Sequence, residues 1–208
     1  GSVGGVGLRG PGETQLEVDR REIGRRISQL KKDLESVRAH RSRYRAKRRE
    51  TEIQVVAIVG YTNSGKSTLL NAMVGAKVSI VTHKVQTTRA RIRGVALEGA
   101  AQIVFVDTPG LFRPRRRLDR AMVAAAWGGA ADADIVVLLI EAHRGVTEGV
   151  RTILAALEDR ITPAQKVALA INKIDRVKAE ALLALSAEMN AAFPFERTFM
   201  ISAEKGHG

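Results

Sequence analysis

One stretch limits the folds open to this chain more than any other: Gly60-Tyr61-Thr62-Asn63-Ser64-Gly65-Lys66-Ser67-Thr68. It reads G-x-x-x-x-G-K-S, follows the apolar, β-branched run Ile53 to Val59, and precedes the helix-prone Leu69 to Val74. A buried strand, a Gly-rich turn and a helix in that order build a phosphate-binding loop, or P-loop. The glycines let the main chain turn tightly enough for successive N–H groups to converge on phosphate oxygens. The start of the helix adds its positive dipole end. In such a loop Lys66 is expected to reach the β- and γ-phosphates and the Ser67 hydroxyl to ligate Mg²⁺.

Apolar runs recur at 101–106, 135–140 and 166–171, the pattern of sheet strands buried on both faces. Residues 92–97 are expected as an antiparallel edge strand and 195–201 as a last strand. Helical segments are expected near 66–74, 118–130, 147–159 and 177–192. Residues 53–208 thus read as a doubly wound, mostly parallel α/β domain, with ligands at the carboxyl ends of its strands.

Three further motifs fall at such strand ends. Asp107-Thr108-Pro109-Gly110 closes the 101–106 strand, where Asp107 can hold Mg²⁺ through a water and the Gly110 N–H can face a γ-phosphate. Asn172-Lys173-Ile174-Asp175 ends the 166–171 strand. The Asp175 carboxylate can accept from guanine N1–H and the exocyclic amine together, a pairing adenine cannot offer, so guanine is the expected base. Lys173 would lie along the base, and Ser202-Ala203 would back it with a main-chain N–H. The alternative for Asp175 is a helix cap. Between these motifs, Val85-Gln86-Thr87-Thr88-Arg89 can supply a second Mg²⁺ hydroxyl from a loop ordered by the γ-phosphate. Chemistry does not separate Thr87 from Thr88; position favours Thr88. Expected metal ligands are therefore Ser67, Thr88 and Asp107. Leu111 stands where many GTPases place a water-orienting Gln, so slow intrinsic hydrolysis is expected. His83 and His143 are expected as ordinary surface histidines, and Arg113 to Arg117 as a basic loop in the second switch.

Ahead of this domain, residues 1–12 carry six glycines and a proline and read as an irregular lead-in. Residues 13–50 read as a helical arm. Leu16, Ile23, Ile27, Leu30, Leu34 and Val37 form an a/d seam on one face, and Thr14 with Glu17 makes a possible capping box. Seven Arg/Lys and no acid lie between Arg38 and Arg49, and residues 1–50 hold 14 basic and 7 acidic side chains of a chain whose net charge is +12. That charge fits RNA, contacted by Arg41 to Arg49, or an anionic membrane surface. The absence of cysteine and of any apolar run near 18 residues fits a cytoplasmic, non-spanning protein. A monomer is expected.

These motifs resemble the ribosome-associated GTPases, and two families at once. Residues 74–208, with GAKVSIVTHKVQTTRARIRG, FVDTPGLF, INKID and ISAEKG, look like the Era family. Residues 7–71, with GLRGPGETQLEVDRR and VGYTNSGKSTLLNA, look like the HflX family. The handover falls near Asn71 to Gly75, as in a chimera or fusion. The resemblance implies the P-loop GTPase fold, GTP hydrolysis with Mg²⁺ and a switch acting in ribosome assembly. It implies that Gly60 to Thr68, Asp107 to Gly110, Asn172, Lys173, Asp175, Ser202 and Ala203 bind the nucleotide. Lys66, Thr88 and Gly110 would serve catalysis, with Asn63 matching relatives that potassium assists. It also implies that Era's RNA-reading KH domain and the last helix of the GTPase fold are not in this chain. The alternatives are an HflX-like protein that splits ribosomes at the large subunit, and an rRNA-binding module with negligible turnover. A P-loop ATPase or kinase has only the P-loop in its favour.

Overall fold

The computed structural model describes residues 15–50, 53–81, 91–99, 101–111 and 117–208. Contacts divide the chain into two compact units, residues 1–43 and 44–208. Helix α1 (Gln15–Glu50) supplies all that is described of the first unit, and its seam side chains from Ile23 to Val37 are exposed. The capping box at Thr14 lies outside the described residues.

The second unit is built on a six-stranded sheet. Its strands are β1 (Ile53–Gly60), β2 (Ile92–Glu98), β3 (Ala101–Asp107), β4 (Ile135–Glu141), β5 (Lys166–Asn172) and β6 (Arg197–Met200), in the order β2-β3-β1-β4-β5-β6. Among the described residues, β2 alone runs antiparallel, pairing with β3 at the edge. Among the described residues, four α-helices lie between the strands: α2 (Lys66–Val74), α3 (Arg117–Asp132), α4 (Glu148–Arg160) and α5 (Ala179–Ala192). The central strands are apolar on both sides because both are covered. Val136, Leu138 and Ile140 of β4 pack with Trp127, Leu154 and Met189 from α3, α4 and α5. Their neighbour Leu139 packs on the other face with Leu70 of α2. Continuous apolar runs are what a parallel sheet with helices on both faces requires.

The expected elements are present with small changes at their ends. The last strand is shorter than 195–201, because Phe195 turns back to hydrogen-bond Phe193 O and sets its ring tilted against that of Phe193, with centroids 4.9 Å apart. Helix α5 begins at Ala179 rather than 177, after a 3₁₀ turn over Ile174–Arg176.

The last turns of α1, from Tyr44 on, fall in the second unit. Arg45, expected to face RNA, is buried and donates to Ala131 O at 2.9 Å. Arg48, expected likewise, forks onto both Asp134 oxygens at 3.1 Å and donates to Asp132 O at 2.8 Å. Asp134 also accepts from Val55 N at 2.9 Å. These two cations hold the last turns of α1 on the α/β unit. A basic run cannot reveal this, because the acceptors lie more than eighty residues away.

Candidate nucleotide site

The P-loop leaves β1 at Gly60 and enters α2 at Lys66. Its shape depends on two glycines: a Cβ on Gly60 would strike Leu139 O, and one on Gly65, at φ +97°, would strike the Asn172 side chain. Asn63 also takes a left-handed φ of 66°. Lys66 is buried, with Nζ donating to Gly60 O (3.2 Å) and Tyr61 O (2.8 Å) across the loop's hollow. Burial lowers its pKa from 10.5 to about 8, against the opposing pull of Asp107 and Glu141. The ammonium is therefore held ready for an anion, with loop carbonyls in place of phosphate oxygens.

Ser67 Oγ donates to Asp107 Oδ2 at 2.6 Å, so the hydroxyl and the carboxylate expected to hold Mg²⁺ are neighbours. Asp107 is fully buried, and Ser79 Oγ also donates to it at 3.4 Å. No cluster of three His, Cys, Asp or Glu exists among the described residues. A hard cation that keeps waters and shares phosphate oxygens suits this hydroxyl–carboxylate pair, since Mg²⁺ seldom has an all-protein cage. Thr108 fixes the strand end through Oγ1 to Ile58 O, 2.8 Å. Gly110 lies so close to Thr62 that a Cβ would collide with it, and the peptide after Pro109 therefore abuts the P-loop. Leu111 N donates to Gly60 O at 2.9 Å while its side chain is buried in the core.

At the other end, Asn172 Nδ2 donates to Ser64 O (2.8 Å) and its Oδ1 accepts from Ala203 N (3.0 Å). One amide thus joins the P-loop to the Ser202-Ala203 turn. Lys173, left-handed at φ 63°, extends to Asn63 O (2.8 Å). Ser202 Oγ donates to Asp175 Oδ1 at 2.7 Å; this bond, more than Lys205 at 3.9 Å, holds the Asp175 carboxyl below its ordinary value. Asp175 sits in the 3₁₀ turn and does not cap α5, whose N-cap is Lys178 without a side-chain bond. The helix-cap alternative is thereby removed.

Residues 82–90 and 112–116, including His83, Thr87, Thr88 and Arg113 to Arg116, lie outside the described residues. Tyr61, Ser64 and Thr68 are where the loop was expected. Two partners were missed. Glu141, at the end of β4, accepts from Lys173 Nζ at 3.0 Å and lies 3.3 Å from His143 Nε2. An acid ending the run IVVLLIE was the available signal. Ser79 had none.

A family model described as 50S ribosome-binding GTPase matches residues 55–173, and one described as GTP-binding GTPase middle region matches residues 2–48. GTPase Era of Dinoroseobacter shibae (strain DSM 16493 / NCIMB 14021 / DFL 12) is 78% identical over 158 residues, covering 76% of this chain and 51% of the relative. A crystal structure of Era with MgGDPNP and nucleotides 1506–1542 of 16S ribosomal RNA matches with a TM-score of 0.68 at 38% identity, over 74% of this chain and 52% of that one. The crystal structure of an SsGBP and GDP complex matches at a TM-score of 0.55 over 92% of this chain and 57% of the other; at 23% identity it shows the fold alone. The chain spans about half the length of the curated relatives it matches. The ribosome-binding GTPase match runs unbroken through Asn71 to Gly75, and the 158-residue Era alignment is longer than residues 74–208. The Era likeness therefore includes the P-loop, and the expected handover at 71–75 is corrected.

Proposed function

The chain belongs to the 50S ribosome-binding GTPase family, and on that premise we propose that it binds GTP with Mg²⁺ and hydrolyses it to GDP and phosphate as a switch acting on ribosomal RNA. The observation that carries the reading is the Asn172 bridge, which joins the P-loop to the Ser202-Ala203 turn that bonds Asp175, the carboxylate we read as the acceptor for guanine. Lys66 and the loop amides would hold the β- and γ-phosphates; Ser67, Asp107 and Thr88 would hold Mg²⁺, which neutralises charge as the phosphoryl group leaves. Asp175 would pair with the base edge, with Lys173 along its face and Ala203 N–H behind it. Gly110 N–H would meet the γ-phosphate, and Asn63 would sit where potassium assists turnover. With an aliphatic Leu111 packed into the core, the chain brings no water-orienting group at that position, so hydrolysis is slow until a partner contributes.

The partner reading is rRNA of the small subunit in ribosome assembly, supported by the relatives named Era and by the rRNA in one Era structure. A second reading concerns the arm. A separate model, described as GTP-binding GTPase middle region, covers residues 2–48, which fits an HflX-like reading of that segment, and the 50S in the description of the 55–173 match favours a large-subunit contact. A cytoplasmic protein is proposed; no helix among the described residues is long and apolar enough to cross a membrane.

Multiple-turnover phosphate release in potassium buffer, with small and large subunits added separately, tests the function. GTP turnover should rise with subunits, and Asp175→Asn should lose GTP turnover while gaining xanthosine triphosphate turnover. Absence of turnover above buffer in every arm leaves only the binding-module alternative, and an unaltered nucleotide preference in Asp175→Asn removes the base-pocket assignment.

A further inference from the structure

Glu141 belongs to none of the motifs read from the sequence, yet strand register sets it beside two of them. In the parallel pairing of β4 with β5 it lies opposite Asn172, and its side chain meets the next residue, Lys173. In the pairing of β4 with β1, Leu139 lies opposite Gly60, where the P-loop leaves its strand. β4 itself is held between β1 and β5, so its end is a fixed point of the sheet.

A buried carboxylate is costly unless partnered. The Glu141 side chain is 8% exposed, with Oε1 accepting from Lys173 Nζ at 3.0 Å and Oε2 lying 3.3 Å from His143 Nε2. The same ammonium donates to Asn63 O at 2.8 Å. Among the described residues, Asn63 and Lys173 are the two non-glycine positions with φ in the left-handed range, 66° and 63°. Main chain of that kind persists only where neighbouring structure holds it, and it gathers at ligand sites. One ammonium joins the two positions, and one carboxylate holds the ammonium. On the guanine reading of the site, we propose that Glu141 is a positioning residue for the base: it pins Lys173 in place before a nucleotide arrives.

A lysine ammonium rides on a flexible stem, and ordering such a chain at the moment of binding weakens affinity. Anchored at Asn63 O and Glu141, the stem of Lys173 is ordered beforehand and offers the base a preset surface. Asn63 sits in a loop, whereas Glu141 ends a central strand, so the carboxylate is the firmer anchor. A second route from Glu141 to the nucleotide runs through Lys66. Burial lowers the Lys66 pKa to about 8, and the Glu141 charge works against that by favouring the ammonium. The two routes separate cleanly. A loss of GDP affinity through Lys66 survives the removal of Lys173; a loss through Lys173 does not.

Calorimetric titration of the full chain with GDP and Mg²⁺ at neutral pH tests this as a mutant cycle. Glu141→Ala should raise the dissociation constant about tenfold, the loss expected when a charged hydrogen bond is removed. Glu141→Gln keeps an acceptor of the same shape and should raise it about threefold. Adding either substitution to Lys173→Met should alter the constant less than about twofold, because the residue that carries the effect is gone. The Gln branch completes the cycle if Glu141→Ala does not fold. Equal losses with and without Lys173 mean that Glu141 supports the fold or acts through Lys66, and overturn the proposal. Unaltered GDP affinity in Glu141→Ala overturns it while leaving the guanine reading intact. A parent chain that fails to bind GDP at millimolar concentration overturns the guanine reading itself, and the proposal with it.

Discussion

Lys66 shows how a single buried charge can make stability and ligand affinity respond oppositely to pH. Burial holds its pKa near 8, below the ordinary 10.5. The unfolded chain therefore binds this proton more tightly, and the empty protein gains stability as pH rises from about 8 to 10.5. A triphosphate favours the charged ammonium, so nucleotide affinity falls over the same window. Thermal melts with and without GTP, from neutral pH upward, should show the empty protein's Tm rising relative to Lys66→Met while the GTP-induced increment shrinks. A GTP increment independent of pH would mean that Lys66 does not meet the phosphates. The lysine itself was legible, because a turn that cradles phosphate needs that residue type at that spacing. Its environment was not. Glu141 lies 75 positions downstream in the sequence, and only the parallel pairing of β1 with β4 brings the two ends together.

At the level of elements, the end of α3 explains why α1 belongs partly to the α/β unit. The helix has no basic residue in its last turn, yet its terminal carbonyls need donors. Gln165 Nε2 serves Ala130 O and Ala133 O, Arg45 serves Ala131 O, and Arg48 serves Asp132 O. Two of these donors are cations, which also suit the negative end of the helix dipole. Asp134 ties Arg48 to the β1 main chain, so Asp134→Ala leaves the Val55 N–H without its acceptor and takes the carboxylate from Arg48. It should destabilise the protein by about 2–4 kcal/mol. Arg48 keeps some solvent, and Arg48→Ala should cost about 1–2 kcal/mol. Urea unfolding followed by the single Trp127 checks both; equal midpoints for Asp134→Ala and the parent would show that the ion pair holds nothing. The periodicity of α1 was legible because apolar spacing is a local property. Where its cations point was not, since a run of arginines reads the same whether it faces solvent or caps a distant helix.

For the whole molecule, the net charge of +12 divides into cations that serve the fold and cations open to a polyanion. Arg38 and Arg43 are exposed, whereas Arg45 is buried beneath Ala131 O. Replacing Arg38 and Arg43 with Gln should weaken rRNA binding and lower the slope of log affinity against log salt by about 1.4–1.8, at roughly 0.7–0.9 per phosphate contact. An unaltered slope in filter-binding titrations would remove these two residues from the RNA surface. The strands and the antiparallel edge were readable from runs of apolar residues, and the motifs fall at strand ends, which in this architecture converge on one rim. The amide of Asn172 spans that rim, joining chain contributed before α2 to chain contributed after β6. Its consequence is mechanical: neither half of the pocket can loosen alone. A guanosine without phosphates, or an inorganic triphosphate without a base, must immobilise the entire clamp while touching only one jaw of it, so each fragment should grip far more feebly than its share of the intact nucleotide.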